Sequence, residues 1–456
     1  MDHSLKKLSL LDSTTIIMGS MIGSGIFITS AGIAQRVNSP GFLMLAWIIT
    51  AIITVLAALS YGELAAMFPR AGGQYVYLRE AYNPLFGFLY GWTLFTVIQT
   101  GTIAAVGVAF AKFTGVFWPV ISADNYLLAL GSFHISTQQA LAILVIVLLT
   151  VYNYRDVKTG AFLQNIFTIT KVAALLAIVG CGIYFGMNGH GTMQNFAPLF
   201  PEKITWGMIG IFGGALTGSL FSADAWNNIT YTAGEVDNPK RNLPLSLLIG
   251  TSVVLLLYIL ANFAYVFVLG VDKIKVAEND RVGTLLMETI LGNSGKFVMA
   301  ALIMISTFGC LNGIILTAAR VYYAMAKDGL FFRQAGELNK NHVPARSLTF
   351  QCIWSCLLCF SGSYGDLLDY VMFAVMIFYV LTVSGLFILR IKRPDAERPY
   401  KAVGYPLLPA IYVLLALIVA VFMILNNGTN CLYGAIIMLA GVPVYFLISK
   451  KEGTMA

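Results

Sequence analysis

The sequence predicts an all-α membrane protein with twelve spanning helices, and three observations carry that prediction. Of the 456 residues, 58% are hydrophobic and only 11% charged. The apolar residues fall in long runs, many of them reaching the roughly 18 residues that read as a membrane-crossing helix. The loops between those runs sort their positive charge by side.

Taken in order, the spans are expected at 13–38, 41–67, 83–112, 137–153, 157–187, 204–232, 243–270, 295–327, 346–362, 364–390, 404–425 and 430–449. The first run is too long, too broken by glycine and too poor in an A-x-A ending to read as a cleavable signal peptide. Both tails are too short for a soluble domain. Lys and Arg divide 19 to 7 between the two sets of loops, with Lys171 and Arg320 left inside spans. The richer set includes Lys6, Lys7, Arg70, Arg79, Lys158, Arg241, the Arg390–Lys401 cluster, Lys450 and Lys451. By the positive-inside rule this side is cytoplasmic and holds both termini, which requires an even number of spans. The net charge of +7 is thereby explained by topology, not by nucleic-acid binding.

The first span carries the stretch Gly19-Ser20-Met21-Ile22-Gly23-Ser24-Gly25-Ile26-Phe27. Each glycine weakens a helix by roughly 1 kcal/mol relative to alanine, so Gly23-Ser24-Gly25 favours an unwound turn at mid-depth. Unwound backbone there survives only where protein buries it or it lines a cavity. Such a break offers C=O groups to a cation and N–H groups to an anion, and a free amino acid carries both charges on one carbon. Close helix packing by small residues is the competing reading. The sixth span repeats the pattern: after Gly213-Gly214 comes Phe221-Ser222-Ala223-Asp224-Ala225-Trp226-Asn227-Asn228, with Asp224 200 residues beyond Ser24. Spans one to five and six to ten then form two equal halves, and matched interruptions point to the site of an inverted-repeat transporter.

Other residues add less. Cys352, Cys356 and Cys359 share one apolar span, and Cys181, Cys310 and Cys431 are scattered, so neither a disulfide framework nor a metal site is expected. Glu63 and Arg70 are seven residues apart, about two helical turns, and start on one face if the helix continues. With Glu235, Lys240 and Arg241 they form a candidate inner gate, against a reading as ordinary interfacial charge. Arg320, near its helix end, reads as a snorkelling side chain. An enzyme would need a catalytic constellation; no HExxH or GxSxG occurs, and the four His avoid mid-span positions. A channel would need a filter repeat or polar pore face, and none is visible. No cofactor is expected, and amino acid and membrane lipid are the expected partners.

The first-span stretch resembles the first-helix motif of the amino acid–polyamine–organocation superfamily. So do Ile169-Thr170-Lys171-Val172-Ala173, Gly234-Glu235-Val236-Asp237-Asn238-Pro239-Lys240-Arg241, and Arg393-Pro394-Asp395 with Arg398-Pro399-Tyr400-Lys401. Together they look most like the L-type amino acid transporter branch, in its bacterial form. The resemblance implies a LeuT-like fold of two inverted five-helix repeats (13–187 and 204–390), with helices one and six broken and two additional helices (404–449). It implies one transporter domain over 1–456 and alternating access to a central site. The N–H groups of Gly23, Ser24 and Gly25 would hold the substrate carboxylate. The carbonyls of Met21, Phe221 and Asp224 would hold its amino group, with Phe221 also a lid. Ile98, Ala223, Asp224, Cys310 and Tyr379 are candidates for the side-chain pocket. Where the family commonly reads Phe-Ala-Tyr-x-Gly-Trp, this chain has Ala223 in place of the aromatic, which would widen that pocket.

Lys171 lies 13 residues beyond Lys158, about 20 Å along a helix and so near the middle of a roughly 30 Å core. An ammonium at that depth needs a cavity or partners. The resemblance places it where sodium-coupled relatives bind sodium, bridging carbonyls near Gly19 and Ile22 and facing Ser306. That implies sodium-independent exchange at the cytoplasmic membrane. A proton-coupled permease and a cationic amino acid or polyamine antiporter are the alternatives. Light chains of the family bind a heavy chain through a cysteine between spans three and four. Residues 113–136 contain none, so no disulfide-linked heavy chain is expected.

Overall fold

A computed structural model of the chain describes residues 8–130, 133–155, 157–360 and 364–453, without the side chains of 130, 133, 157–163, 364–370 and 449–453. Lys6 and Lys7, and the side chains of Lys158, Lys450 and Lys451, lie outside the described residues. The α-helices in chain order are α1 (Leu10–Met21), α2 (Gly25–Val37), α3 (Pro40–Met67), α4 (Gln74–Ala81), α5 (Pro84–Thr93), α6 (Gln99–Thr114), α7 (Thr137–Tyr152) and α8 (Val157–Phe185). They continue with α9 (Trp206–Ser222), α10 (Pro239–Ile274), α11 (Val282–Leu291), α12 (Asn293–Lys327), α13 (Ala345–Leu358), α14 (Tyr364–Lys392) and α15 (Leu407–Gly453). One antiparallel hairpin, β1 (Tyr126–Leu130) with β2 (Phe133–Ser136), joins α6 to α7.

Taking α1–α2 and α5–α6 each as one, eight helices among the described residues are long and apolar enough to cross a membrane. Helices α7, α9 and α11 are apolar but shorter. Local sequence explains the starts. Ser9 and Asp12 form a capping box on α1, as Ser136 and Gln139 do on α7. Ser39 caps α3, whose first residue is Pro40. Between α5 and α6 the helix widens into a π-helical stretch, Leu94–Ile98, without ending.

The broken α1–α2 pair lies at the centre. Its most apolar window is 89% buried, against 33% for α15, which therefore lies on the outside. Helix α1 packs among α8, α10 and α12, while α2 packs along α9.

The structure departs from the sequence reading in four places. The segment 68–82, read as a loop, contains α4, a short helix too rich in polar groups to register as a span. Helix α11, ten residues long, falls in the expected loop after the seventh span. The sixth span does not stay α-helical to residue 232: α9 ends at Ser222, and a 3-10 segment follows at Asn228–Glu235. The last two expected spans form α15, interrupted by non-helical backbone at Asn427 rather than by a loop.

Candidate functional site

The chain leaves α1 after Met21 and re-enters a helix at Gly25. Within the turn the Gly23 N–H donates to the Met21 carbonyl at 2.9 Å, and the Phe27 N–H to the Ser24 carbonyl at 3.0 Å. Gly25 begins α2 directly against the end of α9. A Cβ there would lie 2.3 Å from Ser222 Oγ and 2.9 Å from Ser222 Cα, so only glycine allows this approach. At the end of α9 the Asp224 N–H donates to the Phe221 carbonyl at 3.1 Å, and Ala225 turns the chain with φ +65°. The two breaks thus face each other.

Between them is about 330 Å³ of open space, bordered by Met21, Gly23, Ser24, Gly25, Phe221, Asp224 and Cys310. A second space of about 230 Å³ is bordered by Ile98, Tyr379, Gln74, Gln99, Asn227 and Tyr231. A third, of about 260 Å³, is bordered by Ala223, Trp226, Met372, Met376 and Tyr379. Asp224 borders all three. The wall candidates therefore do not share one pocket. Ala223 in particular faces the third space, among α3, α14 and α15 residues, and does not widen the space between the breaks.

Carbonyls at the end of α1 are met by donors from three other helices. Lys171, fully buried on α8, donates to the carbonyls of Gly19 at 2.6 Å and Ile22 at 2.9 Å. From α12, Ser306 Oγ donates to Ile22 at 3.1 Å and Gly23 at 3.3 Å, and Cys310 Sγ to Ser20 at 3.0 Å. From α10, the Tyr258 hydroxyl donates to Met21 at 2.9 Å. Tyr258 is a residue that sequence reasoning missed; a tyrosine mid-way through an apolar run, with Asn262 one turn on, was the available signal. With the Gly23 N–H also on it, the Met21 carbonyl has both lone pairs engaged, so an ammonium binds it only by displacing a donor.

The Asp224 carboxylate accepts the Tyr379 hydroxyl at 2.6 Å. Tyr379 also reaches Asn227 Oδ1 at 3.4 Å, Asn227 Nδ2 donates to Gln74 Oε1 at 3.0 Å, and Gln74 Nε2 to Thr382 Oγ1 at 2.9 Å. This polar chain ties the second break to α4 and α14. Gln74 and Thr382 were not singled out from sequence.

The ion pairs near the Arg-rich loops differ from the expected gate. Helix α3 ends at Met67, so Arg70 does not continue the face of Glu63 and is exposed. Buried Glu63 instead accepts hydrogen bonds from Arg390 Nε at 3.0 Å and Nη2 at 2.6 Å and from the Ala402 N–H at 2.7 Å, and forms an ion pair with Arg398, Nε at 3.2 Å. The Arg390 guanidinium lies over the Tyr405 ring, 3.7 Å from its centroid. Glu235 is paired with Arg320, Nε at 2.7 Å and Nη2 at 3.2 Å, while Arg241 is exposed. Arg320 is buried by that contact and does not snorkel. Leu8 adds a backbone clip: its N–H donates to the Glu235 carbonyl and its carbonyl accepts the Asp237 N–H, both at 2.8 Å. On α4, burial pushes the Glu80 carboxyl up, but hydrogen bonds from Arg393 and Arg79 outweigh it and hold the group below its ordinary value.

Two helix breaks facing each other across an open space, inside a bundle of apolar helices, mark a multi-pass membrane protein. The chain belongs to the amino acid permease family, whose model matches residues 8–447. It is an amino acid transporter of the L-type branch of the amino acid–polyamine–organocation superfamily. Human "Large neutral amino acids transporter small subunit 2" is 32% identical over 452 residues, covering 97% of this chain and 80% of the relative. Mouse "b(0,+)-type amino acid transporter 1" is 30% identical over 445 residues, covering 97% and 88%.

Proposed function

We propose that this protein exchanges amino acids across the cytoplasmic membrane by alternating access, without sodium. Its domain is one unit of twelve spans with both termini cytoplasmic: inverted repeats at 13–187 and 204–390, and two further helices at 404–449. The backbone of Gly23, Ser24 and Gly25 receives the substrate carboxylate. The carbonyls of Met21, Phe221 and Asp224 receive the ammonium once the site opens, and Phe221 covers it. The observation that carries this reading is Lys171. Its fixed ammonium meets the Gly19 and Ile22 carbonyls at the first break, with Ser306 also on Ile22 and on Gly23, as a bound cation would. The ion pairs Glu63–Arg390 and Glu235–Arg320 close the inner end. The protein works without a disulfide-linked heavy chain; a second chain released only by reductant would refute that.

The test is uptake of labelled amino acid into proteoliposomes. Exchange requires unlabelled amino acid inside and is indifferent to sodium. A proton-coupled permease is the second reading, favoured because the described hydrogen-bond partners of Lys171 are neutral carbonyls, so a proton leaves without breaking an ion pair. It would show uptake into empty vesicles under a proton gradient. Strict dependence on sodium would overturn both readings.

A further inference from the structure

We propose that the β1–β2 hairpin lies in the membrane–water interface, with the headgroup and upper acyl region of the bilayer as its partner. This rests on the reading above that α6 and α7 cross the membrane. Tyr126, Leu127 and Leu128 are consecutive in β1, and all three are exposed. A bulge interrupts the pairing between Tyr126 and Leu128; beyond it the consecutive residues Leu128 and Ala129 point to opposite faces and both are exposed, so the protein covers neither face of β1 there. An isolated two-stranded hairpin is at best marginally stable in water. Something other than this chain's core must bury those side chains.

Position selects lipid as the occupant. Helix α7 starts at Thr137, immediately after β2 ends at Ser136, with no linker between them. The 16 residues of α7 rise about 24 Å, less than the roughly 30 Å hydrocarbon core. A helix that short draws the attached hairpin down to the boundary. Residues 113–136 contain no Lys or Arg and one carboxylate, Asp124. They do contain exposed Trp118 and Tyr126, the side-chain types that settle at headgroup level. The exposed Leu144, Leu148 and Val151 of α7 continue the apolar surface away from the hairpin along the same helix.

The test uses the full protein in proteoliposomes, with Leu127→Trp as a reporter and Trp118→Phe as its counterpart. The added tryptophan should emit at short wavelength, be quenched by lipids brominated near the headgroup, and be shielded from aqueous iodide. Trp118→Phe should remove a lipid-quenched component from the native emission. Quenching by iodide and not by lipid would overturn the proposal. So would protection from both quenchers with cross-linking of two copies through the hairpin, which would make the partner a protein. Amino acid exchange measured on the same vesicles reports the transport reading separately.

Discussion

The Lys171 ammonium lies 2.6 Å from the carbonyl oxygen of Gly19 and 2.9 Å from that of Ile22, joining α8 to the open end of α1. Those carbonyls are orphaned by the helix break; Lys171 meets both, and Ser306 shares the one at Ile22. The ammonium therefore holds the shape of the break whose far side, at Gly25, packs against the end of α9. Lys171→Ala should cut exchange at least about tenfold, equivalent to 1.4 kcal/mol in a barrier. Substrate binding, read by ligand-induced thermal shift, should persist. Loss of binding together with transport would reduce Lys171 to a structural prop, and undiminished exchange would remove it from the mechanism.

Gly25 and Ser24 separate backbone from side-chain recognition. A Cβ at residue 25 meets the Ser222 side chain and backbone, so Gly25→Val forces α2 and α9 apart and stiffens the turn. Binding should fall by at least about tenfold, or 1.4 kcal/mol. Ser24→Ala keeps the N–H and should cost less than about threefold, or 0.7 kcal/mol. Comparable losses at both positions, measured by titration of the purified variants, would assign the contact to the Ser24 hydroxyl.

What the sequence makes legible follows from the range of the physics involved. Apolar run length reports helices because hydration of a backbone segment is local, and glycine at mid-depth reports the break for the same reason. Lys171 stands out because a charge in an apolar run has few explanations. Partner choice across the bundle is different. Glu63 pairs with Arg390, 327 residues away, while nearby Arg70 is carried off by the end of α3. Arg320 looked like a residue reaching for water until Glu235 came to it from 85 residues away. The direction of Ala223 depends on how α9 unwinds, and residue spacing does not encode that. The Tyr258 bond to Met21 likewise joins two runs whose relative rotation is set only by packing.

Glu63 and Glu235 should behave differently although both are paired with arginine. The Glu63 side chain is 1% exposed and holds Arg390, Arg398 and the Ala402 N–H together, whereas the Glu235 side chain is 39% exposed. Removing one partner of a buried pair leaves an uncompensated charge and costs about 3–5 kcal/mol. Glu63→Gln should therefore lower the thermal midpoint sharply, and the double change Glu63→Met with Arg390→Met should recover part of it. Glu235→Gln leaves the buried Arg320 without its counter-charge but next to a solvent-exposed amide, so it should lower the midpoint less than Glu63→Gln does and alter the exchange rate. Equal destabilisation by the two single variants would argue against a gating role for Glu235.

Asp224 is the position at which a reading of charge on the substrate side chain can be tested. It borders all three open spaces, so a substrate side chain extending in any of those directions passes this residue. Its described side-chain partner is the Tyr379 hydroxyl, a neutral donor. Asp224→Asn keeps an acceptor oxygen for Tyr379 and nearly the same volume, so the second break should keep its shape while the charge is lost. If lysine or arginine is carried, its uptake should drop at least about tenfold, since a charged hydrogen bond is worth roughly 1.5–3 kcal/mol. Leucine and alanine should stay within about twofold, a difference of 0.4 kcal/mol. Tyr379→Phe supplies the contrast: it leaves the carboxylate but removes its donor, so it should affect all substrates alike. Competition uptake over a panel of neutral and cationic amino acids reads both variants at once. A uniform loss with Asp224→Asn, matching Tyr379→Phe, would make the carboxylate a part of the break's architecture and remove it from substrate selection.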